Sequence, residues 1–145
     1  MNEKTRMRRC RDQEFLDFYN EALSLMLSKG VKGARKAAID YTIHNARPKF
    51  YVNFERAYIV VCDILNKNRM PVTSPTMQAM WTEIAQLVRN LIGSSNMSIS
   101  AALPLVLNNC RASRFYISEK YVYRYLYQAT RERKYEKLKR FKHTA

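Results

Sequence analysis

A short string occurs twice in this chain, and the repetition limits the folds that the chain can adopt. Residues 47–58, RPKFYVNFERAY, align with residues 112–123, ASRFYISEKYVY, at a constant offset of 65. Flanking small residues keep the same register, since Ala37 falls on Ala102. Repeated units stack on one another to complete a common core. The sequence therefore predicts a tandem duplication.

Each copy has the pattern of three helices. In the first copy, apolar spacing predicts helices over residues 12–28, 34–45 and 54–68. Asp12 is expected to cap the first of these helices and Asn53 the third. Pro48 cannot continue the second helix, so an extended FYV segment is expected before the third.

The second copy predicts helices over residues 75–92 and 100–109, and a last helix from Ser118 to about residue 142. Ser74 followed by Pro is a typical helix start. Pro104 lies inside the middle helix and predicts either a later start or a kink.

The predicted fold class is all-α, a tandem duplication of a three-helix unit (helix, helix, FYV loop, helix) packed as one compact domain. A unit of about 60 residues is too small to bury a sufficient core alone. The expected organisation is a basic N-terminal arm at 1–12, repeat 1 at 13–69, and repeat 2 at 74–145 with a long basic, Tyr-rich C-terminal helix.

The repeated Phe-Tyr pairs are expected to anchor the loops. Phe50 and Phe115 are predicted to fill the core. Tyr51 and Tyr116 are predicted to lock the loops, with their polar hydroxyl tips available for hydrogen bonds.

Targeting and cysteine signals are weak. The first residues lack the apolar stretch of a secretory signal, and no apolar run approaches the roughly 18 residues of a membrane span. Cys10, Cys62 and Cys110 are far apart and form no CxxC pair, which disfavours a disulfide framework or a zinc site. We expect a cytoplasmic protein without membrane contact.

Catalytic patterns are lacking as well. The two histidines have no metal-ligand spacing, the acidic residues are scattered, and no glycine-rich phosphate loop occurs. The sequence predicts neither an enzyme nor a bound metal or cofactor.

Positive charge is the main functional signal. The chain has 26 Lys and Arg against 12 Asp and Glu, a net charge of +14. Residues 1–12 carry +3, residues 28–56 carry +5 and residues 129–145 carry +5. Such clustering predicts binding to the phosphates of nucleic acid, with DNA favoured over RNA, and the alternative is a basic face that only contacts solvent. The candidate phosphate-binding residues are Arg35, Lys36, Arg47, Lys49, Arg111, Arg114, Arg124, Arg131, Arg133, Lys134, Lys137 and Arg140.

The sequence does not establish sequence-specific reading of bases. Helix, bend and capped helix loosely resemble the order of helix-turn-helix domains. The connection over residues 46–53 is longer than the usual turn, and the helix that follows is too apolar to read a groove.

Tyrosines on the last helix suggest a second function. Tyr121 and Tyr125 form one pair spaced by four residues, and Tyr123 and Tyr127 form another on the opposed face. One face must pack on the core, and the other is free for a partner. All four are candidate interface residues of a homo-oligomer or of a structural or adaptor protein in a larger assembly, such as a phage or mobile-element particle.

Overall fold

The computed structural model describes residues 2–144, with side chains through residue 140, and this part of the chain is helical without any strand. The prediction of an all-α fold is confirmed. The helices are α1 (Glu3–Ser28), α2 (Ala34–Asn45), α3 (Phe54–Lys67), α4 (Pro75–Ser95), α5 (Ile99–Asn109) and α6 (Glu119–Thr144).

The first helix starts well before the predicted position. Asn2 caps α1 by accepting a hydrogen bond from the Thr5 N–H at 2.8 Å. The prediction of Asp12 as a cap is therefore wrong, because Asp12 is buried inside α1. The residues from Glu3 to Asp12, which lie in the predicted basic arm, form the first turns of this helix. The basic run has no apolar periodicity, yet Lys and Arg are good helix formers. Met1 lies outside the described residues.

Most of the other predicted helix ends are confirmed. α2 has the predicted bounds, and the side chain of Asn53 caps α3 by accepting from the Arg56 N–H at 3.0 Å. Ser74 caps α4, and Pro75 is its first residue. Gly30, two residues after the end of α1, has a positive φ, and its N–H donates to the Leu27 carbonyl at 3.1 Å.

α4 and α5 form the apolar part of the chain. α4 runs past Gly93 to Ser95, and α5 starts at Ile99 with Pro104 inside it. Pro104 has no N–H for the Ser100 carbonyl, but Ser100 is exposed, so water can supply the missing donor. No single helix among the described residues is both long and apolar enough to cross a membrane; α4 and α5 meet that test only as a pair, and a bend of 119° separates them.

Two apolar cores divide the helices between them. The first core joins α3 to α4 and α5, through residues such as Val60, Ile84 and Leu103. The second joins α1 and α2 to the loop before α6 and to α6 itself, through Phe15 and Val122 among others. The third helix of each predicted repeat therefore packs on the first two helices of the other repeat.

The two connecting loops cross to permit this exchange. Residues 46–53 and 110–118 lie against each other, and the Ala112 N–H donates to the Pro48 carbonyl at 2.7 Å. Phe115 then enters the second core, where its ring centroid lies 5.1 Å from that of Phe15. The loop crossing places residues of both predicted repeats around one shared surface.

The C-terminal half of α6 lies outside both cores. Residues 130–140 are all exposed and contribute nothing to either core.

Candidate nucleic-acid interface

Each crossing loop is fastened by one glutamate. On α1, Glu14 accepts a hydrogen bond from the Lys49 N–H at 3.0 Å and another from the Tyr51 hydroxyl at 2.8 Å. The same carboxylate lies 3.9 Å from the Arg111 guanidinium, at the start of the other loop.

On α4, Glu83 holds the second loop in the same way. It accepts from the Ser113 N–H at 2.8 Å and from the Tyr116 hydroxyl at 2.8 Å, and the Ser113 hydroxyl also donates to it. We call Glu14 with Tyr51, and Glu83 with Tyr116, the glutamate locks. The predicted lock role of both tyrosines is confirmed, and their partners were not predicted.

Both lock tyrosines remain protonated donors at neutral pH. Burial, followed by the hydrogen bond to Glu14, raises the pKa of Tyr51 well above its usual value. Burial also raises the pKa of Tyr116; Glu83 adds to this effect, and Ser113 opposes it.

A groove of about 670 Å³ opens beside the locked loops. Its walls are the first turns of α1, both loops, and the starts of α3 and α4. Its floor is apolar and contains Phe50, Val52, Met77, Met80, Trp81 and Phe115. We call it the basic groove, because cations surround this floor.

Six cations line the basic groove, against one carboxylate. That carboxylate belongs to Glu3, which accepts from the Asn53 side-chain amide at 2.9 Å. The six cations are Lys4, Arg8, Arg11, Lys49, Arg56 and Arg114.

Two of these cations are held by neighbouring groups. Arg11 donates twice to Asp12 at 3.1 and 3.2 Å, and Arg114 donates to the Phe115 carbonyl at 3.2 Å. Among the described residues, the other four have no carboxylate within 4 Å. They are Lys4, Arg8, Lys49 and Arg56.

The cations on α1 follow helical spacing. Lys4, Arg8 and Arg11 are four and three residues apart, so they lie on one face of α1. Lys4 and Arg8 are separated by about 6 Å along the helix axis. The sequence prediction omitted all three as site residues, together with Arg56. The spacing was readable, but it has a geometric meaning only if the basic run is helical.

The predicted phosphate-binding residues fall on three surfaces. Lys49 and Arg114 line the basic groove, with Arg47 and Arg111 exposed at the starts of the same loops. A second pair is exposed at the start of α2, and the rest are exposed along α6. The α2 pair is Arg35 and Lys36; the α6 set is Arg124, Arg131, Arg133, Lys134, Lys137 and Arg140.

The tyrosines of α6 separate into two faces, as the spacing predicts. Tyr121 and Tyr125 are half-buried, and the Tyr121 hydroxyl donates to Asp12 at 2.5 Å. Burial and this carboxylate raise the pKa of Tyr121. Tyr121 thus has a partner within the chain. Tyr123 and Tyr127, by contrast, are 42% and 64% exposed.

The exposed face continues along the C-terminal half of α6. Tyr135 and Leu138 are 68% and 62% exposed. They follow Tyr127 by about 2.2 and about 3.1 helical turns, which keeps them within one broad face of the helix. We call Tyr123, Tyr127, Tyr135 and Leu138 the aromatic stripe. Sequence reasoning found its first two members and did not extend the face to Tyr135 and Leu138.

In the described part of the chain, no three His, Cys, Asp or Glu side chains lie close enough together to hold a metal ion. The three cysteines in this part are free thiols, with Cys10 exposed. Comparison of the chain with protein-family models, with curated proteins and with solved structures found no match in any of the three.

Proposed function

We propose that this protein binds nucleic acid through phosphate contacts and catalyses no reaction. The basic groove is the main support for the proposal, because six cations and only one carboxylate line it. A phosphodiester backbone neutralises such a cluster and releases its own condensed counterions, which drives binding.

The way in which the cations are held supports binding. Those on α1 sit on a regular helix, and those on the loops sit on segments that the glutamate locks fasten. A preorganised set loses little conformational entropy on binding. Arginine, the majority of the six, also matches phosphate with a planar fork of donors.

A salt titration with oligonucleotides tests the proposal. Fluorescence anisotropy with labelled DNA and RNA strands measures the affinity as the salt concentration rises. If about six phosphates are contacted, log affinity falls against log salt with a slope of about −5. Lack of binding to every strand and duplex at about 50 mM salt would contradict the proposal.

A charge-matched pair of variants locates the contact. Lys4→Glu with Arg8→Glu removes two groove cations and should lower the slope by about 2. Arg69→Glu with Arg89→Glu makes the same change of net charge on exposed residues outside the groove. The slope should stay unchanged in this control; an equal loss in both variants would show that only net charge matters.

We also propose that the chain is a duplication whose third helices are exchanged between the two copies. The support is the similarity of the two glutamate locks, in which tyrosines 65 residues apart each share a carboxylate with a backbone N–H of the same loop. The N-caps Asn53 and Ser118 occupy the same offset.

A second function is favoured by the aromatic stripe, which would serve as an interface in a larger assembly or between copies of this chain. Its members lie on the side of α6 opposite to Val122, which is fully buried in the second core. Tyr123→Ala with Tyr127→Ala should then reduce oligomer mass in light scattering and leave oligonucleotide binding intact. Tyr121 is unsuitable for this test, because its hydroxyl binds Asp12 within the chain.

A further inference from the structure

We propose that the basic groove takes single-stranded nucleic acid, with an unpaired base on the apolar floor and the flanking phosphates on the surrounding cations. The inference rests on the proposed function, since it names the form of nucleic acid that the same groove binds.

Phosphate binding alone does not explain why the floor of the basic groove is apolar. Trp81 and Phe50 are only 5% and 7% exposed, and the surface that they retain borders the groove together with half-buried Met77. A ligand that offered only phosphates would bring charge against this apolar surface, which is costly. A nucleobase instead presents a flat apolar face that aromatic rings and thioethers contact favourably.

The shape of the groove selects against a duplex. Its volume of about 670 Å³ falls within the range of sites that enclose small molecules. In a duplex the bases are stacked and paired, and a base reaches a concave pocket only after it leaves the stack. A duplex can therefore contact the rim cations, whereas a single strand can contact both rim and floor.

The position of the rim cations fits a backbone that passes over the floor. Lys4 and Arg8 approach from α1, Lys49 from the first loop and Arg56 from α3, so the charges lie on more than one side. Cationic grooves with aromatic platforms are the usual means of holding single strands without sequence preference. An acidic peptide would satisfy the cations but has no flat face for the floor, so a single strand is the favoured occupant.

Trp81 makes the test direct, because it is the only tryptophan of the chain and borders the groove. The full-length protein is titrated with oligothymidine of about eight nucleotides, with an abasic strand of the same length, and with a blunt duplex. We expect the base-containing strand to change Trp81 fluorescence and to bind about tenfold or more tightly than the abasic strand. The duplex should bind without the Trp81 response.

Two results separate the inference from the proposed function. Equal affinities for base-containing and abasic strands, or a Trp81 response to duplex as large as to the single strand, would overturn the inference and leave phosphate binding standing. Failure of all three ligands to bind would overturn both. Displacement of the single strand by polyglutamate at equal charge concentration would also overturn the inference, in favour of an acidic peptide.

A pair of variants on α4 tests whether the base binds at the groove floor. Met77→Glu puts a carboxylate at the groove floor, and Gln86→Glu puts the same charge on an exposed position of the same helix outside the groove. Met77→Glu should abolish the preference for the base-containing over the abasic strand, and Gln86→Glu should preserve it. Thermal unfolding of both variants checks that they are folded. Should Met77→Glu fail this check, Met77→Gln replaces it, and an unchanged preference in a folded floor variant contradicts the inference.

Discussion

Glu14 and Glu83 accept hydrogen bonds from the two loops, whose N–H groups lie outside the hydrogen-bond pattern of any helix. Each of the two loops leaves a backbone N–H and a half-buried tyrosine hydroxyl near a neighbouring helix, and a carboxylate on that helix accepts from both. A carboxylate suits this task because it has two acceptor oxygens, whereas a hydroxyl has one. These two side chains position the basic groove without lining it.

Removal of either carboxylate should destabilise the protein by a similar amount. Glu14→Ala and Glu83→Ala each remove the charged acceptor of a loop N–H and of a half-buried tyrosine hydroxyl, which should cost about 1–3 kcal/mol of the free energy of unfolding. Urea denaturation followed by circular dichroism measures this cost. Glu21→Ala, at an exposed position of α1, is the control. A loss no larger than that of the control would show that the locks do not stabilise the loops.

The tyrosine pKa values predict loss of stability in alkali. The pKa values of Tyr51, Tyr116 and Tyr121 are raised in the folded protein above the ordinary 10.0, so the folded state holds these protons more tightly than the unfolded chain. Their stabilising contribution is complete below pH 10.0 and is lost as the pH rises above it.

Urea midpoints at about pH 9 and about pH 11 measure this loss. The double variant Tyr51→Phe, Tyr116→Phe lacks two of the titrating groups and should show a smaller decline than the natural sequence. An equal decline in both proteins would assign the alkaline effect to other groups, such as the lysines.

At the level of helices, the sequence predicted where most elements begin and end but not where they pack. Caps and prolines are local signals, and they placed α2, α3 and the start of α4. The apolar stripe of α3 shows that one face is buried, but it carries no information on which helices bury it. The pairing of α3 with α4 and α5 is therefore invisible in the pattern.

The candidate site could be predicted only in part, because local patterns identify some of its residues but not how they come together. Lys49 and Arg114 belong to the repeated string, which drew attention to them. Lys4, Arg8 and Arg56 join them only because α1 begins at Glu3 and because two loops cross. The loop crossing depends on a contact between distant parts of the chain, and the start of α1 depends on the Asn2 cap, which apolar periodicity does not reveal.

The exposed half of α6 should be dispensable for folding. A chain that ends before Thr130 loses residues that are exposed through position 140 and contribute to neither core, so its unfolding free energy should change by no more than about 0.5 kcal/mol. The deletion also removes seven cations, which should lower the salt dependence of oligonucleotide binding.

The Trp81 response to a bound strand should persist in the shortened protein, because the groove lies outside the deleted part. Loss of that response, with folding intact, would show that α6 contributes to the groove.

For the whole molecule, the packing of α3 and α6 links the two cores. α3 belongs by sequence to the first half of the chain and α6 to the second, and each completes the core of the other half. Neither core can lose its third helix without pulling on the loop crossing at Pro48 and Ala112. The two cores should therefore unfold in one cooperative transition.

Phe115→Ala tests this coupling. Phe115 is 1% exposed in the second core, and its truncation should cost about 3–5 kcal/mol. Trp81 lies in the first core and reports on that core by fluorescence. We expect the Trp81 midpoint and the circular dichroism midpoint to fall together in urea. A Trp81 midpoint that stays in place while the circular dichroism transition splits would show two independent cores.

The contact between Phe15 and Phe115 also sets an order of events during synthesis on the ribosome. The two rings are partners across 100 residues of chain, so the cleft between α1 and α2 stays open until Phe115 has been made. At about 5–20 residues per second, translation takes about 5–20 s to supply the missing partner. Throughout that interval the nascent chain presents apolar surface to the cell, and chaperones that recognise such surface have time to bind it before the last helix arrives.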